Sequence, residues 1–182
     1  MLVIVMGVSG SGKSTIGRLL ADRLSLLFRD ADAFHSPENR AKMANDIPLD
    51  DADRWPWLDV LARHASDWEA LGGAVLACSA VKRAYREFLF ARVRNHYVVY
   101  LKIPRVAAER RLRERRGHHE FVADFDRLLD GQFRDLEPPT DAIVISAELS
   151  PAEIVEIALT GLQRAAARSY VASRAAAGAR QS

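Results

Sequence analysis

Cysteine is almost absent: Cys78 stands alone, so no disulfide can form within the chain, and a reducing, cytoplasmic setting is expected. Long hydrophobic runs are missing as well, and no stretch approaches the ~20 apolar residues a helix needs to cross a bilayer. The apolar start, Met1 to Met6, has no basic segment before it and is broken by glycine at position 7, so it is not expected to act as a secretory signal. An excess of either charge is also lacking. The formal net charge is +2, which gives no reason to expect general attraction to nucleic acid despite a pI of about 8.9. No internal repeat recurs, which excludes solenoids and propellers. What remains, 49% hydrophobic and 27% charged residues in a chain of 182, is enough for one globular domain with a sizeable core and too little for two.

The first fifteen residues carry the densest information. Met1 to Met6 is apolar and short enough for a buried strand, and it runs directly into Gly7-Val8-Ser9-Gly10-Ser11-Gly12-Lys13-Ser14-Thr15. This matches G-x-x-x-x-G-K-[ST] at every fixed position. Glycines at 7, 10 and 12 let successive backbone N–H groups turn inward, and a helix begins there with its positive dipole end toward the same anion. Lys13 supplies charge for the β- and γ-phosphates of a nucleoside triphosphate, and Ser14 offers a hydroxyl to Mg²⁺. Thr15, one position further, closes the binding segment.

Along the chain, strands and helices alternate. A helix is expected from Lys13 to about Ser25, then a strand at 26–29. The segment Asp30-Ala-Asp32-Ala-Phe-His35 follows at that strand's carboxyl end, the edge where open α/β sheets bind ligands. Ser36 and Pro37 open a short helix to about Ala44. A helix over 54–71, a strand over 74–78, a helix over 79–93 and a strand over 97–103 come next. An arginine-loaded helix over 105–116 leads into a partly helical segment ending near Glu137. The last strand covers 142–146, and a final helix runs to about Arg168. The pattern predicts a three-layer, doubly wound, five-stranded parallel sheet of the α/β class within residues 1–168. Inserted segments at about 35–72 and 113–137 are expected over its carboxyl edge as substrate-binding and lid elements, and residues 169–182 as a frayed tail.

Phosphoryl transfer needs phosphate positioning, charge neutralisation and a group that aims or deprotonates the acceptor. Alternation along an extended segment would put Asp30 and Asp32 on one side, facing the phosphates. One can reach the metal while the other meets the acceptor hydroxyl; the alternative is a pair of turn-forming aspartates. The arginines at 110–116 read either as a solvated face or as a closing cover that brings guanidinium groups to the γ-phosphate. His35, Arg54, Lys82 and Arg86 fall near strand ends or helix starts on the acceptor side, suited to an acid with several hydroxyls, or else are surface charges. Trp55, Trp57 and Trp68 read as packing residues, and Cys78 as a buried strand residue.

Taken together, the phosphate loop, Asp30-Ala-Asp-Ala-Phe-His35, Asn39, Lys42-Met43, Pro48-Leu49, Asp53-Arg54 and Pro56-Trp57-Leu58 resemble the small gluconate kinases in order and spacing. Cys78-Ser-Ala-Val-Lys82, Tyr85-Arg86, Arg115-Arg-Gly-His118, Leu128-Leu, Gln132-Phe133 and Leu136-Glu137 continue the likeness. The resemblance implies the fold of shikimate and nucleoside monophosphate kinases, and ATP-dependent phosphorylation of D-gluconate at its terminal hydroxyl. It implies that Asp32 orients or deprotonates that hydroxyl, that Asp30 lies near Mg²⁺, and that Arg54 and Arg86 hold the acid with His35 and Lys82 nearby. It further implies that Arg115 is the cover arginine and Arg111 an adenine-stacking position, and it carries the family's common homodimer. Departures include Ala31, Asp46 and Gly131 where the family has glycine, glycine and a small hydroxyl residue, and His119 where phenylalanine is usual. The competing readings are a kinase for another sugar acid, shikimate or a nucleotide, and a nucleotide-binding regulator without turnover.

Overall fold

The computed structural model of the chain describes residues 1–45, 47–114 and 125–178. Five strands, β1 (Leu2–Met6), β2 (Leu27–Asp30), β3 (Ala74–Ala77), β4 (His96–Lys102) and β5 (Ile143–Ser146), form one sheet in the order β2-β3-β1-β4-β5. Every pairing is parallel, with Val5 opposite Ala77 on one side and Val99 on the other. The helices are α1 (Lys13–Leu24), α2 (Pro37–Ala44), α3 (Asp51–Ala70), α4 (Arg83–Phe90), α5 (Arg105–Glu114), α6 (Phe125–Asp135) and α7 (Pro151–Gly178). The expected doubly wound α/β architecture is what the chain adopts.

Strand β1 is central and wholly buried, which is why it reads as an unbroken apolar run rather than an alternation. Its side chains still divide between two cores. Val3 and Val5 pack on one face with Leu20 of α1, Ala108 of α5, Leu129 of α6 and Leu162 of α7. Leu2, Ile4 and Met6 pack on the other with Leu58 and Leu61 of α3 and Leu89 of α4. The three tryptophans divide as well: Trp57 and Trp68 are buried against α3's own core, while Trp55 lies at its margin, edge-on to Tyr85 and Phe88.

Four local expectations shift. Helix α3 starts at Asp51, not Arg54, because Asp50 caps it: Asp50 accepts from the Asp53 N–H while the Asp53 carboxylate accepts from the Asp50 N–H. That reciprocal cap outweighs the preference of Pro56 for the first turn and leaves the proline inside the helix. Helix α4 starts only at Arg83, since Ala80 holds a left-handed φ of 39° that no helix can include. Residues 31–34 form a short 3₁₀ turn instead of continuing extended. Helix α7 continues to Gly178, well past Arg168, where alanine, the best helix former, dominates the sequence.

Candidate active site

The phosphate loop joins β1 to α1. Gly12 caps the helix at φ 95° and lends no side chain to it, so the first-turn N–H groups remain available to an anion. Gly10 lies so close to α5 that a Cβ there would stand 2.7 Å from the Ala108 carbonyl oxygen. The Ser11 hydroxyl is buried and has no hydrogen-bond partner among the described residues. Lys13 Nζ donates to the Val8 carbonyl at 3.2 Å, folded back over its own loop. Thr15 is exposed on the first turn of α1.

Two residues distant in sequence hold this loop. Gln132 of α6 accepts from the Ser9 N–H at 2.6 Å and donates to the Ser9 hydroxyl at 3.0 Å, so one amide engages both groups of a single loop residue. Arg111 of α5 donates to the Ala147 carbonyl at 2.7 Å and reaches the Gly10 carbonyl at 3.5 Å, joining the loop to the turn after β5. Arg105 of α5 pairs with Asp130 of α6, and Arg113 with Glu109 and Asp126, so the two helices are laced along their exposed side. Arg115 lies outside the described residues.

Asp30 ends β2 opposite Ala77 and accepts a hydrogen bond from the Ser14 hydroxyl at 2.7 Å. Its other oxygen accepts from the Asp32 N–H at 3.2 Å, which starts the 3₁₀ turn. The two aspartates are therefore separated by a turn, not set side by side by strand alternation. Asp30 points to the loop, and Asp32 points to His35, with 4.0 Å between Asp32 Oδ1 and His35 Nε2. Ala31 fits this turn because, among described non-glycine residues, only Ser25 and Ala80 have positive φ.

His35 is buried, stacked on Trp57 with ring centroids 4.4 Å apart and planes 12° from parallel. Trp57 in turn donates its indole N–H to the Ala31 carbonyl at 2.9 Å, tying α3 to the turn that carries both aspartates. Burial, with the Arg54 and Arg40 charges nearby, pushes the His35 pKa down to about 4. Arg54 donates through Nε to the Leu49 carbonyl at 3.2 Å. Lys82 is paired with Asp51, at 2.7 and 3.0 Å to the two carboxylate oxygens, and the Tyr85 hydroxyl donates to the same carboxylate. These partners hold Asp51 below the usual carboxylate range, while burial first and then that hydrogen bond push Tyr85 up to about 12.

Arg86 was expected to face the acceptor acid; its guanidinium instead donates to the Ala80, Val81 and Glu137 carbonyls at 2.8, 3.0 and 2.9 Å. It braces the turn after β3 against the segment after α6, and the left-handed Ala80 explains why such a brace is needed. Cys78 is a buried free thiol with its pKa pushed up to about 12 by burial, in keeping with a packing role. A groove of about 820 Å³, lined by Arg83, Phe90, His96, Glu137 and Asp141 among others, lies beside α4 and includes no residue of the phosphate loop.

Asp30, Asp32 and His35 thus gather at the carboxyl edge with Ser14, and Arg54 lies near His35. Sequence reasoning gave no role to Gln132, Asn39 or Asp51. Gln132 had a faint signal, a lone amide between the apolar Leu128-Leu129 and Phe133 of an amphipathic helix. Asp51 had none beyond its place in an acidic cluster.

A phosphate loop on the central strand of a five-stranded parallel sheet, facing a turn that carries two aspartates, defines a P-loop kinase of small molecules. The family model described as shikimate kinase matches residues 9–159. Mouse probable gluconokinase is 41% identical over 187 residues, covering 89% of this chain and 97% of that protein. Gluconokinase of Gluconobacter oxydans is 40% identical over 162 residues, covering 85% and 86%. The crystal structure of a gluconokinase from Sinorhizobium meliloti superposes with a TM-score of 0.83 at 38% identity, covering 94% of this chain and 96% of that one. The chain belongs to the gluconokinase family.

Proposed function

We propose that this chain transfers the γ-phosphoryl group of ATP to the terminal hydroxyl of D-gluconate, giving ADP and 6-phospho-D-gluconate. The observation that supports the reading is the turn after β2, where Asp30 accepts from the Ser14 hydroxyl of the phosphate loop at 2.7 Å and Asp32 lies 4.0 Å from His35.

The loop suits a nucleoside triphosphate: the uncapped first turn of α1 offers N–H donors, and the Ser11 hydroxyl is buried without a partner among the described residues. On binding, Lys13 leaves the Val8 carbonyl for the β- and γ-phosphates. Ser14 and Asp30 would hold Mg²⁺, which on binding neutralises charge on those phosphates. Asp32 receives the proton of the acceptor hydroxyl as the new oxygen–phosphorus bond forms and the bond to ADP breaks. Arg54 and Lys82 hold the carboxylate of the acid, Lys82 exchanging Asp51 for it. Arg86 acts behind them by fixing the turn after β3. Arg111 borders the adenine, and Arg115 closes over the transferred group from a lid at about 113–137, while residues 35–72 form the substrate-binding segment.

A cytosolic setting is supported by the buried free thiol of Cys78. No helix of the described residues is long and apolar enough to cross a membrane. An enzyme-linked ADP-release assay over gluconate, other hexonates, shikimate and nucleoside monophosphates tests the substrate. Gluconate is expected to give the highest kcat/KM; turnover with another acceptor and none with gluconate refutes the assignment.

A further inference from the structure

The amide of Asn39 lies between two acceptors. Its Nδ2 is 2.9 Å from the Asp53 carbonyl oxygen, a partner that only the NH₂ end of the amide can satisfy. The same NH₂ lies 3.4 Å from His35 Nδ1, so that ring nitrogen faces a donor and must accept. A neutral imidazole whose Nδ1 accepts carries its proton on Nε2. Nε2 is the atom turned to Asp32, 4.0 Å from Oδ1.

We infer that Asn39 locks His35 in the neutral Nε2–H tautomer, making it a fixed hydrogen-bond donor that aims the Asp32 carboxylate, not a positive charge for the acceptor acid. The inference rests on the proton-accepting role proposed for Asp32. The stack on Trp57 fixes the ring plane, and the indole bond to Ala31 fixes Trp57 against the turn that carries Asp32, so donor and carboxylate share one frame. The 4.0 Å span is longer than a direct hydrogen bond, so the donor role calls for the Asp32 side chain, 78% exposed, to turn toward the ring. The charged groups facing the ring are Arg54 from α3, Arg40 from α2, whose Nε donates to the His35 carbonyl at 3.0 Å, and Asp32 itself. Two cations and burial oppose a third positive charge, in keeping with a pKa lowered to about 4. His35 is a positioning residue: it acts on the acceptor through Asp32.

The ring tautomer is directly readable from long-range ¹H–¹⁵N spectra of the ¹⁵N-labelled full chain at neutral pH, with His35→Gln assigning the signal among the five histidines. His35 is expected to show a bare Nδ1 and a protonated Nε2, and Asn39→Leu to spread it over both tautomers. A proton on Nδ1, or on both nitrogens, in the wild-type chain overturns the inference even should the Asn39 variant not fold. In turnover, His35→Gln, whose amide nitrogen takes the Nε2 place, is expected to keep kcat within about fivefold of wild type, since one neutral hydrogen bond is preserved. His35→Asn, whose amide reaches only the Nδ1 place, should lose kcat by about tenfold or more with little change in KM. Equal losses in both variants, or a rise in KM alone, would mean that His35 contacts the acid directly and overturn the donor role. The ring spectrum needs no acceptor, so failure of the gluconate assignment leaves this outcome separately readable.

Discussion

The donor and acceptor halves we propose for the site are made from different materials. The donor half is backbone: a loop bent at glycines, its N–H groups aimed by α1, with Gln132 and Arg111 gripping main-chain and hydroxyl groups of that loop. The acceptor half is side chains paired with side chains: Lys82 with Asp51, Lys42 with Asp53, Asn39 with His35. A site of backbone groups has its geometry before ligand arrives. One made of mutually satisfied charges must exchange partners to bind, and its specificity resides in which exchanges are favourable.

The sharpest way to separate the halves is Asp32→Asn, which should lower kcat by about 10²- to 10⁴-fold while leaving nucleotide affinity nearly unchanged. Steady-state turnover beside binding of a fluorescent nucleotide measures both, and near-normal kcat would remove Asp32 from proton transfer. Next in size is a pH effect. His35 has a folded pKa of about 4 against an ordinary 6.5, so the unfolded chain binds more protons between those values. Its contribution to stability is complete above about pH 6.5 and is lost as pH falls toward 4. Between pH 7 and pH 5 the loss should be about 2 kcal/mol, seen in denaturant melts of the wild-type chain and absent from His35→Gln. An equal acid-side loss in both would assign it to other groups.

Gln132→Ala should weaken the grip on the loop by about 1 kcal/mol, read as a several-fold rise in KM for ATP with KM for the acid unmoved. A larger change on the acid side than on the nucleotide side would dissolve the division between halves. Smallest is Gly131→Ala. Gly131 lies inside α6, where an added Cβ would meet nothing closer than the Arg134 guanidinium at 4.0 Å. The substitution should raise stability by about 0.5–1 kcal/mol in denaturant melts; a loss would show that α6 needs the glycine.

The same division explains what the sequence made legible. Glycine spacing encodes a backbone shape locally, so the loop and the parallel sheet could be read from contiguous residues. Partners in the acceptor half can lie far apart in sequence, 31 positions for Lys82 and Asp51 and 34 for Tyr85 and Asp51, and nothing local marks them. Arg86 shows the cost most clearly. A basic residue near a strand end looks the same whether it faces a ligand or three carbonyls, and only the left-handed Ala80 beside it decides. Strand alternation does not set the two aspartates side by side, since the Asp30 side chain itself accepts from the Asp32 N–H and so creates the turn that ends the strand.

Strand β1 gives the division a mechanical basis. Its odd residues, Val3 and Val5, support α1, α5 and α6, which carry Ser14, Arg111 and Gln132; its even residues, Leu2, Ile4 and Met6, support α3 and α4, which carry Arg54 and Arg86. A cavity cut at Leu129 would open in the core that packs α1, α5 and α6, and one cut at Leu61 in the core on the opposite face, with the sheet as a partition between them. Such a partition lets one face be rebuilt for a new acceptor while the opposite core keeps the phosphate loop in place, a form of modularity inside a single domain.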